Sequence, residues 1–511
     1  MDRNGTRYGY LVAWFIVAGA FLGAAAFAAT DLKVSKEIRG ARATAEAVPG
    51  ELVILFAEGA DHDAVRAAVE RAGGRVVRFS KVTPSRAVVS VPVGQEDAAV
   101  RRYRGAAGVR IIEKNYISHA LWTPNDTYYN LQWHYNKPDF IQAEGAWDIT
   151  QGNAAVVVAI VDTGVAYENN AIPDYEAGEV TGGSYVQAPD LAGTSFVAGY
   201  DFVHDDDHPN DQNGHGTHVA GTIAETTNNA ADVAGLAHKC SIMPLQGLDY
   251  SGSGTDADIA DAIDYAREHK AHVINMSFGG TMYTDIIKAA CDDAAAAGLT
   301  LCAAAGNDGA GMLLYPAAYN SVIAVGAVGY DGIRTFYSSY GLGLDVVAPG
   351  GDTSVDLNGD GYPDGVLQMT FSQMYESGPP ETLADISQFG DVFLMGTSMA
   401  CPHVSALAAL VMSNGVKSND DVRSKILGTA RDLGTPGYDF EYGYGLINCN
   451  AAVQPGVPDV GGACGDCGQM SPFSAAVTYG SPVGVYGLIW AARWARRRKK
   501  KPAARGDAPR R

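Results

Sequence analysis

Cysteine is scarce in this chain, seven residues in 511, which is too few to staple a fold of this length with disulfides. Cys240, Cys291, Cys302 and Cys401 fall in apolar stretches, where buried thiols are expected. Charge is also sparse, 18% of residues, and long charged runs are missing before the C-terminus, which excludes a disordered polyelectrolyte. Positive charge is shortest of all. The formal net charge is -20, and because Arg493 to the end carries ten Lys or Arg against one Asp, the rest of the chain carries -29. A body that acidic excludes nucleic acid as a partner, since phosphate binding needs a positive footprint. It suits cation binding and solubility. Internal repeats are absent. What is present is 47% apolar residues and 61 glycines, the make-up of a globular chain with a large core, many tight turns and length for about three domains.

The N-terminus has a basic start (Arg3, Arg7), an apolar run from Tyr10 to Ala25 and the small-x-small site Ala26-Phe27-Ala28. That is the pattern of a secretory leader over 1–28, with a retained membrane anchor as the alternative. Residues 50–120 then give strand, helix, two strands, helix and strand: Leu52–Phe56, Asp61–Ala72, Arg75–Val82, Ala87–Val93, Gln95–Ala106 and Arg110–Ser118. This βαββαβ order is ferredoxin-like. From Trp122 the pattern becomes apolar strands (Val156–Val161, Val273–Met276, Leu299–Ala305, Ser321–Val328) alternating with helices (Ile259–Glu268, Thr284–Ala297, Ala400–Ser413). Such alternation predicts a mostly parallel sheet covered on both faces, a three-layer α/β/α sandwich over 121–455. Sites in such sheets lie beyond the carboxyl ends of the strands.

Three segments stand at such ends. Asp162 follows the strand Val158-Ala-Ile-Val; His215 opens a helix in Asn-Gly-His215-Gly-Thr-His-Val-Ala-Gly; Ser398 opens another in Gly-Thr-Ser398-Met-Ala-Cys-Pro402, with Pro402 expected in its first turn. Together, in the order Asp, His, Ser, they resemble the subtilisin-like serine proteases, closest to the thermitase branch. The resemblance covers about Trp122 to Val453 and implies a secreted serine endopeptidase acting on protein or peptide substrates through an acyl-enzyme. In that scheme His215 takes the Ser398 proton and returns it to the leaving amine, while Asp162 holds the imidazole. Asn307, after Ala304-Ala305-Gly306, matches the family's oxyanion donor. His215 and His218 lack the intervening Glu of a zinc helix pair, so His218 is expected to be packed. Two other readings stay open: a catalytically silent surface binding protein, and a dedicated processing protease with a narrow substrate.

The resemblance also implies a pocket walled by Ser277, Phe278 and Gly279 on one side and Ala304, Ala305 and Gly306 on the other, with Gly252 and Gly254 on a rim strand that pairs with extended peptide. No charge occurs there, so apolar or aromatic side chains are expected. Asp356, Asn358, Asp360, Tyr362 and Asp364 follow the first positions of an EF-hand-type calcium loop, although Leu367 stands where its last Glu belongs. An acidic Gly-rich turn is the alternative. Asp201 and Asp206 resemble a thermitase-type calcium loop in which His204 replaces one carboxylate, and Asn228-Asn229 resembles part of another. Structural Ca2+ is therefore the expected cofactor.

By the same resemblance the 50–120 unit is an inhibitory propeptide, a zymogen segment that the enzyme removes from itself. Residues 456–511 combine Cys464-Gly-Asp-Cys467, a weak apolar span (Phe473–Ala492) and a basic end. They resemble a bacterial sorting tail with membrane contact. The mature N-terminus is expected between Ser118 and Pro124; N-terminal sequencing of active enzyme checks this, and a start outside that window overturns the assignment.

Overall fold

The structure, a computed structural model, describes residues 47–455 apart from 105, 107, 118–121 and 379. The leader and the C-terminal tail lie outside these residues. Among the described residues no helix is long and apolar enough to cross a membrane. The chain divides after His119 into two compact units.

The first unit runs β1 (Ala47–Phe56), α1 (His62–Arg71), β2 (Arg75–Phe79), β3 (Arg86–Ser90), α2 (Glu96–Tyr103) and β4 (Val109–Tyr116). Its antiparallel sheet has the order β2-β3-β1-β4. Asp61 caps α1 by accepting the amides of Asp63 and Ala64, as a short carboxylate before a helix does. Alternate residues Leu52, Ile54 and Phe56 face Val65 and Val69 of α1 and Ala99 and Tyr103 of α2 in a small core. The Tyr103 hydroxyl donates to the Val69 carbonyl at 3.1 Å, joining the two helices.

The second unit begins with two short helices, α3 (Trp133–Asn136) and α4 (Ala143–Trp147). Its sheet contains β5 (Val157–Asp162), β6 (Ser195–Phe196), β7 (Tyr200–Asp201), β8 (Ser241–Gln246), β9 (Val273–Met276), β10 (Thr300–Ala304), β11 (Val322–Val328) and β12 (Val346–Pro349). The order is β12-β11-β10-β9-β5-β8-β6, with β7 also on β8, and every pair is parallel. Strands β8 to β12 are buried along their whole length, which is why most of them read as unbroken apolar runs. Strand β8 does not, because it carries Pro244 and Gln246. The proline stands opposite the break between β6, which pairs with Ser241–Ile242, and β7, which pairs with Leu245–Gln246.

The helices are α5 (His215–Ala224), α6 (Asp256–Glu268), α7 (Asp285–Ala296), α8 (Thr397–Ser413), α9 (Asn419–Thr429) and α10 (Cys449–Val453). Helices α5 and α8 pack on one another, as do α6 and α7, and the sheet runs between the two layers. The architecture is thus the subtilisin-like α/β sandwich expected above. Between β12 and α8 an antiparallel hairpin, β13 (Val366–Phe371) with β14 (Phe389–Leu394), packs on α5. Helix α8 starts at Thr397, so Pro402 sits in its second turn, one turn later than expected. Among the described residues five cysteines are free and buried: Cys240, Cys291, Cys302, Cys401 and Cys449.

Candidate functional site

Strands β5, β9 and β10 end side by side, and their carboxyl ends carry Asp162, Ser277 and the Gly306-Asn307 turn. Asp162 is fully buried, and its Oδ1 accepts from the Thr163 amide at 2.8 Å and pairs with His215 Nδ1 at 2.7 Å. Its Oδ2 is buried without a partner. His215 reaches Asp162 because α5 approaches the strand end closely. A methyl group on Gly216 would lie 2.1 Å from the Gly164 carbonyl oxygen and 3.2 Å from Asp162 Oδ1, so this contact needs a glycine. Burial pulls the imidazole pKa down, but the charge and hydrogen bond of Asp162, with the charge of Asp211 behind it, leave it raised above the ordinary 6.5.

Ser398 is the second residue of α8. Its hydroxyl donates to the Ser277 carbonyl at 2.8 Å, and the Ser277 hydroxyl donates back to the Ser398 carbonyl at 2.9 Å. The second bond answers a local shortage. A helical carbonyl at 398 looks to the amide of residue 402, and Pro402 has none. Behind this exchange, Asn275 donates to the Ser277 hydroxyl at 2.9 Å and accepts from Ser405 at 2.8 Å, and all three side chains are buried. Asn307 Oδ1 accepts both the amide and the hydroxyl of Thr397, each at 2.8 Å. This turns its Nδ2 toward the start of α8. A methyl group on Gly396 would lie 3.5 Å from Asn307 Nδ2, 3.6 Å from Ser398 N and 3.8 Å from Asn307 Oδ1, so both nitrogens border one small space.

Asp211 was not singled out by the motifs. It is fully buried and accepts from Thr163 Oγ1, the Asn213 and Gly214 amides, and the Thr217 amide and hydroxyl at 2.6–2.9 Å. It therefore caps α5 and ties that helix to the turn after Asp162. Its signal was an Asp two residues before Asn-Gly-His, which resembles an ordinary cap. His218, as expected, is packed: its Nε2 meets the carbonyls of Val366 and Val392, each at 3.1 Å, and burial pushes its pKa down to about 3.

The stretches 277–280 and 304–306 lie on adjacent strand ends. Residues 251–252 form a turn instead of a strand, because Asp249 accepts the amides of Ser251 and Ser253 and the Ser251 hydroxyl. Gly252 has φ +79°, a conformation open to glycine.

Three acidic places could hold a cation. In the loop 356–364, the Asp356, Asn358 and Asp360 side chains accept the loop's own amides. Asp364 is buried, one of its oxygens lacks a partner, and burial raises its pKa with Asp356 and Asp360 adding like charge. Asp126 and Asp190 converge on Asn229: Asp126 accepts the Asn228 and Asn229 amides, and Asp190 accepts the Asn229 side-chain amide at 2.6 Å. Burial pushes the Asp190 carboxyl up to about 7. These two carboxylates come from segments that sequence reading did not connect. Around Asp201 the arrangement differs, for Glu176, Asp201 and His204 form the cluster and Asp206 points to Tyr175.

The chain matches the model of the Subtilase family over residues 153–445 and that of the Fervidolysin N-terminal prodomain over residues 34–115. It is 36% identical over 422 residues to the thermophilic serine proteinase of Bacillus sp. (strain AK1), covering 82% of this chain and 91% of that protein. It is 37% identical over 334 residues to thermitase of Thermoactinomyces vulgaris, covering 65% of this chain and 100% of that protein. A solved protease structure from Pseudoalteromonas arctica is similar with a TM-score of 0.54 at 31% identity, covering 65% of this chain and 99% of that one.

His204 carries a consequence for stability. Its hydrogen bond to Asp201, against the cost of burial and with Asp201, Glu179 and Glu176 adding opposite charge, pushes its pKa up to about 9. A raised folded-state pKa stabilises fully below the unfolded value near 6.5, and the gain is lost as pH rises through about 9. The contribution is on the order of 2–3 kcal/mol once solvent screening is allowed for. His204→Gln is expected to lower Tm at pH 6 to 7 and to match the native chain above pH 9.5; equal Tm values across that range would refute the charged-His204 assignment.

Proposed function

Because the chain belongs to the subtilase family and is a subtilisin-like serine protease with an N-terminal prodomain, we propose that Ser398, His215, Asp162 and Asn307 perform its chemistry. The observation that carries this is the space in front of Gly396, bordered by both Asn307 Nδ2 and Ser398 N. A carbonyl oxygen of an extended peptide placed there meets two donors before any charge develops, and these strengthen as the oxyanion forms.

In this reading the Ser398 hydroxyl swings from the Ser277 carbonyl to His215, which takes its proton as the oxygen attacks the peptide carbonyl. Collapse of the tetrahedral species expels the amine, which leaves with the proton from His215. Water then repeats the sequence on the acyl-enzyme. Asp162 fixes Nδ1 as the protonated nitrogen, leaving Nε2 free to accept. Since the imidazole must be neutral, activity should rise through a pKa above 6.5, the ordinary value from which His215 is raised.

The prodomain serves as the chain's own inhibitor and is cut by the same site, and the N-terminal pattern supports export. Calcium fits as a structural ion at Asp126, Asp190 and Asn229 and in the loop of Asp356, Asn358, Asp360, Tyr362 and Asp364. Each place holds a buried carboxylate whose charge is otherwise poorly met. Asp201 and Asp206 come third, because His204 already supplies positive charge there.

The test is the full chain with Ser398→Ala or Asn307→Ala. Ser398→Ala should abolish prodomain release and casein hydrolysis, a loss of about 10⁶ in kcat known from subtilisin, a member of this family. Asn307→Ala should lower kcat by about 10²–10³, a figure also known from subtilisin. Casein hydrolysis by Ser398→Ala at the native rate would end this reading. A chelator should lower Tm and added calcium restore it; an unchanged Tm counts against both ion sites.

A further inference from the structure

The two proposed walls of the substrate pocket do not face an empty gap. The segment Leu314-Tyr315 runs between them as a rung. The Leu314 amide donates to the Ala305 carbonyl at 3.0 Å on one side. On the other, Tyr315 and Gly280 exchange backbone hydrogen bonds at 2.8 and 2.9 Å. The rung thereby fixes where the Leu314 side chain begins.

That side chain occupies the room which both wall glycines leave. A methyl group on Gly279 would lie 2.8 Å from Leu314 Cβ and 3.1 Å from Cδ1. On Gly306 it would lie 2.8 Å from Leu314 Cγ and 2.9 Å from Cδ1. One isobutyl group therefore touches both walls at once. The Ser339 hydroxyl, buried and without a partner, lies 2.9 Å from the same point at Gly306 and fills the room from a second direction. Gly306 has φ +118°, so the wall cannot shift this balance by taking a larger residue. Leu314 is only half-buried, so part of it stays open to solvent while its side chain lies against both wall glycines.

We propose that Leu314 plugs the pocket for the side chain preceding the scissile bond, restricting cleavage to sites after small residues such as alanine, glycine or serine. The uncharged walls alone suggested apolar or aromatic side chains. An aromatic ring entering between them would have to displace a leucine held by backbone bonds on both sides, and overpacking of this kind is resisted. The inference rests on Ser398 being the nucleophile and on residues 277–280 and 304–306 being the walls.

The test uses the full chain after maturation and two peptide anilides that differ only in having Ala or Phe before the scissile bond. A serine-directed phosphonate counts active sites. The native enzyme should favour the Ala peptide in kcat/KM. Leu314→Gly should shift the Ala-to-Phe ratio toward Phe by about 10- to 200-fold, the range that removal of apolar bulk from a pocket produces. Leu314→Ala should shift it less, and it carries the test if the glycine variant does not fold. A native preference for Phe, or an unchanged ratio in fully titrated variants, overturns the plug while leaving Ser398 in place. A matured native enzyme that neither reacts with the phosphonate nor cleaves either peptide overturns the Ser398 reading and the plug with it.

Discussion

The reciprocal exchange between Ser277 and Ser398 is the constraint on which the rest of the site depends. Pro402 removes the amide that would satisfy the Ser398 carbonyl, and the Ser277 hydroxyl takes its place at 2.9 Å. An unmet buried carbonyl would cost about 1–3 kcal/mol, so the end of β9 is drawn onto the start of α8. The Asn275–Ser405 bond at 2.8 Å pins the same strand to the same helix one level deeper. With α8 held there, Thr397 meets Asn307 on β10's turn, and α5, packed on α8, brings His215 to Asp162 on β5.

Electrostatics in the site is arranged by buried carboxylates with many donors, not by ion pairs with Lys or Arg. Asp211 is held by backbone amides at the start of α5, by two hydroxyls, and by nothing charged. It thereby serves as a cap, a link to Thr163 and a distant charge that supports the imidazolium. Low dielectric makes such an arrangement costly unless it is fully satisfied, and both oxygens of Asp211 are. The acidic body makes sense in the same terms: part of its charge is gathered into loops where carboxylates converge.

The hairpin between β12 and α8 had no clear meaning in the sequence, yet it buttresses the His215 helix. Thr370 donates to the Gly214 carbonyl at 2.5 Å, and the Tyr375 amide to the Asn213 carbonyl at 3.0 Å. His218 bonds a carbonyl from each hairpin strand. Its low pKa keeps the ring neutral, so it can serve as a donor inside the core without introducing charge. The hairpin thus stiffens the α5 end of the site from outside the sheet.

The sequence by itself determined four of the sheet's buried strands, β5, β9, β10 and β11, the two split-βαβ helices, and the places of Asp162, His215, Ser398 and Asn307 at element ends. Each of these is marked within a few residues, by an apolar run, a cap or a glycine at an element end. It did not mark β8, whose proline breaks the apolar pattern. Nor did it connect Asp126 with Asp190, Ser277 with Ser398, or Leu314 with the two wall glycines. Periodicity registers neighbours two to four residues apart, whereas these partners are separated by tens of residues and meet only because a parallel sheet aligns its strand ends. The residues of the proposed chemistry were therefore legible in local motifs. The fit of the proposed pocket and the support of Ser398 were decided by which distant side chains the fold placed behind them.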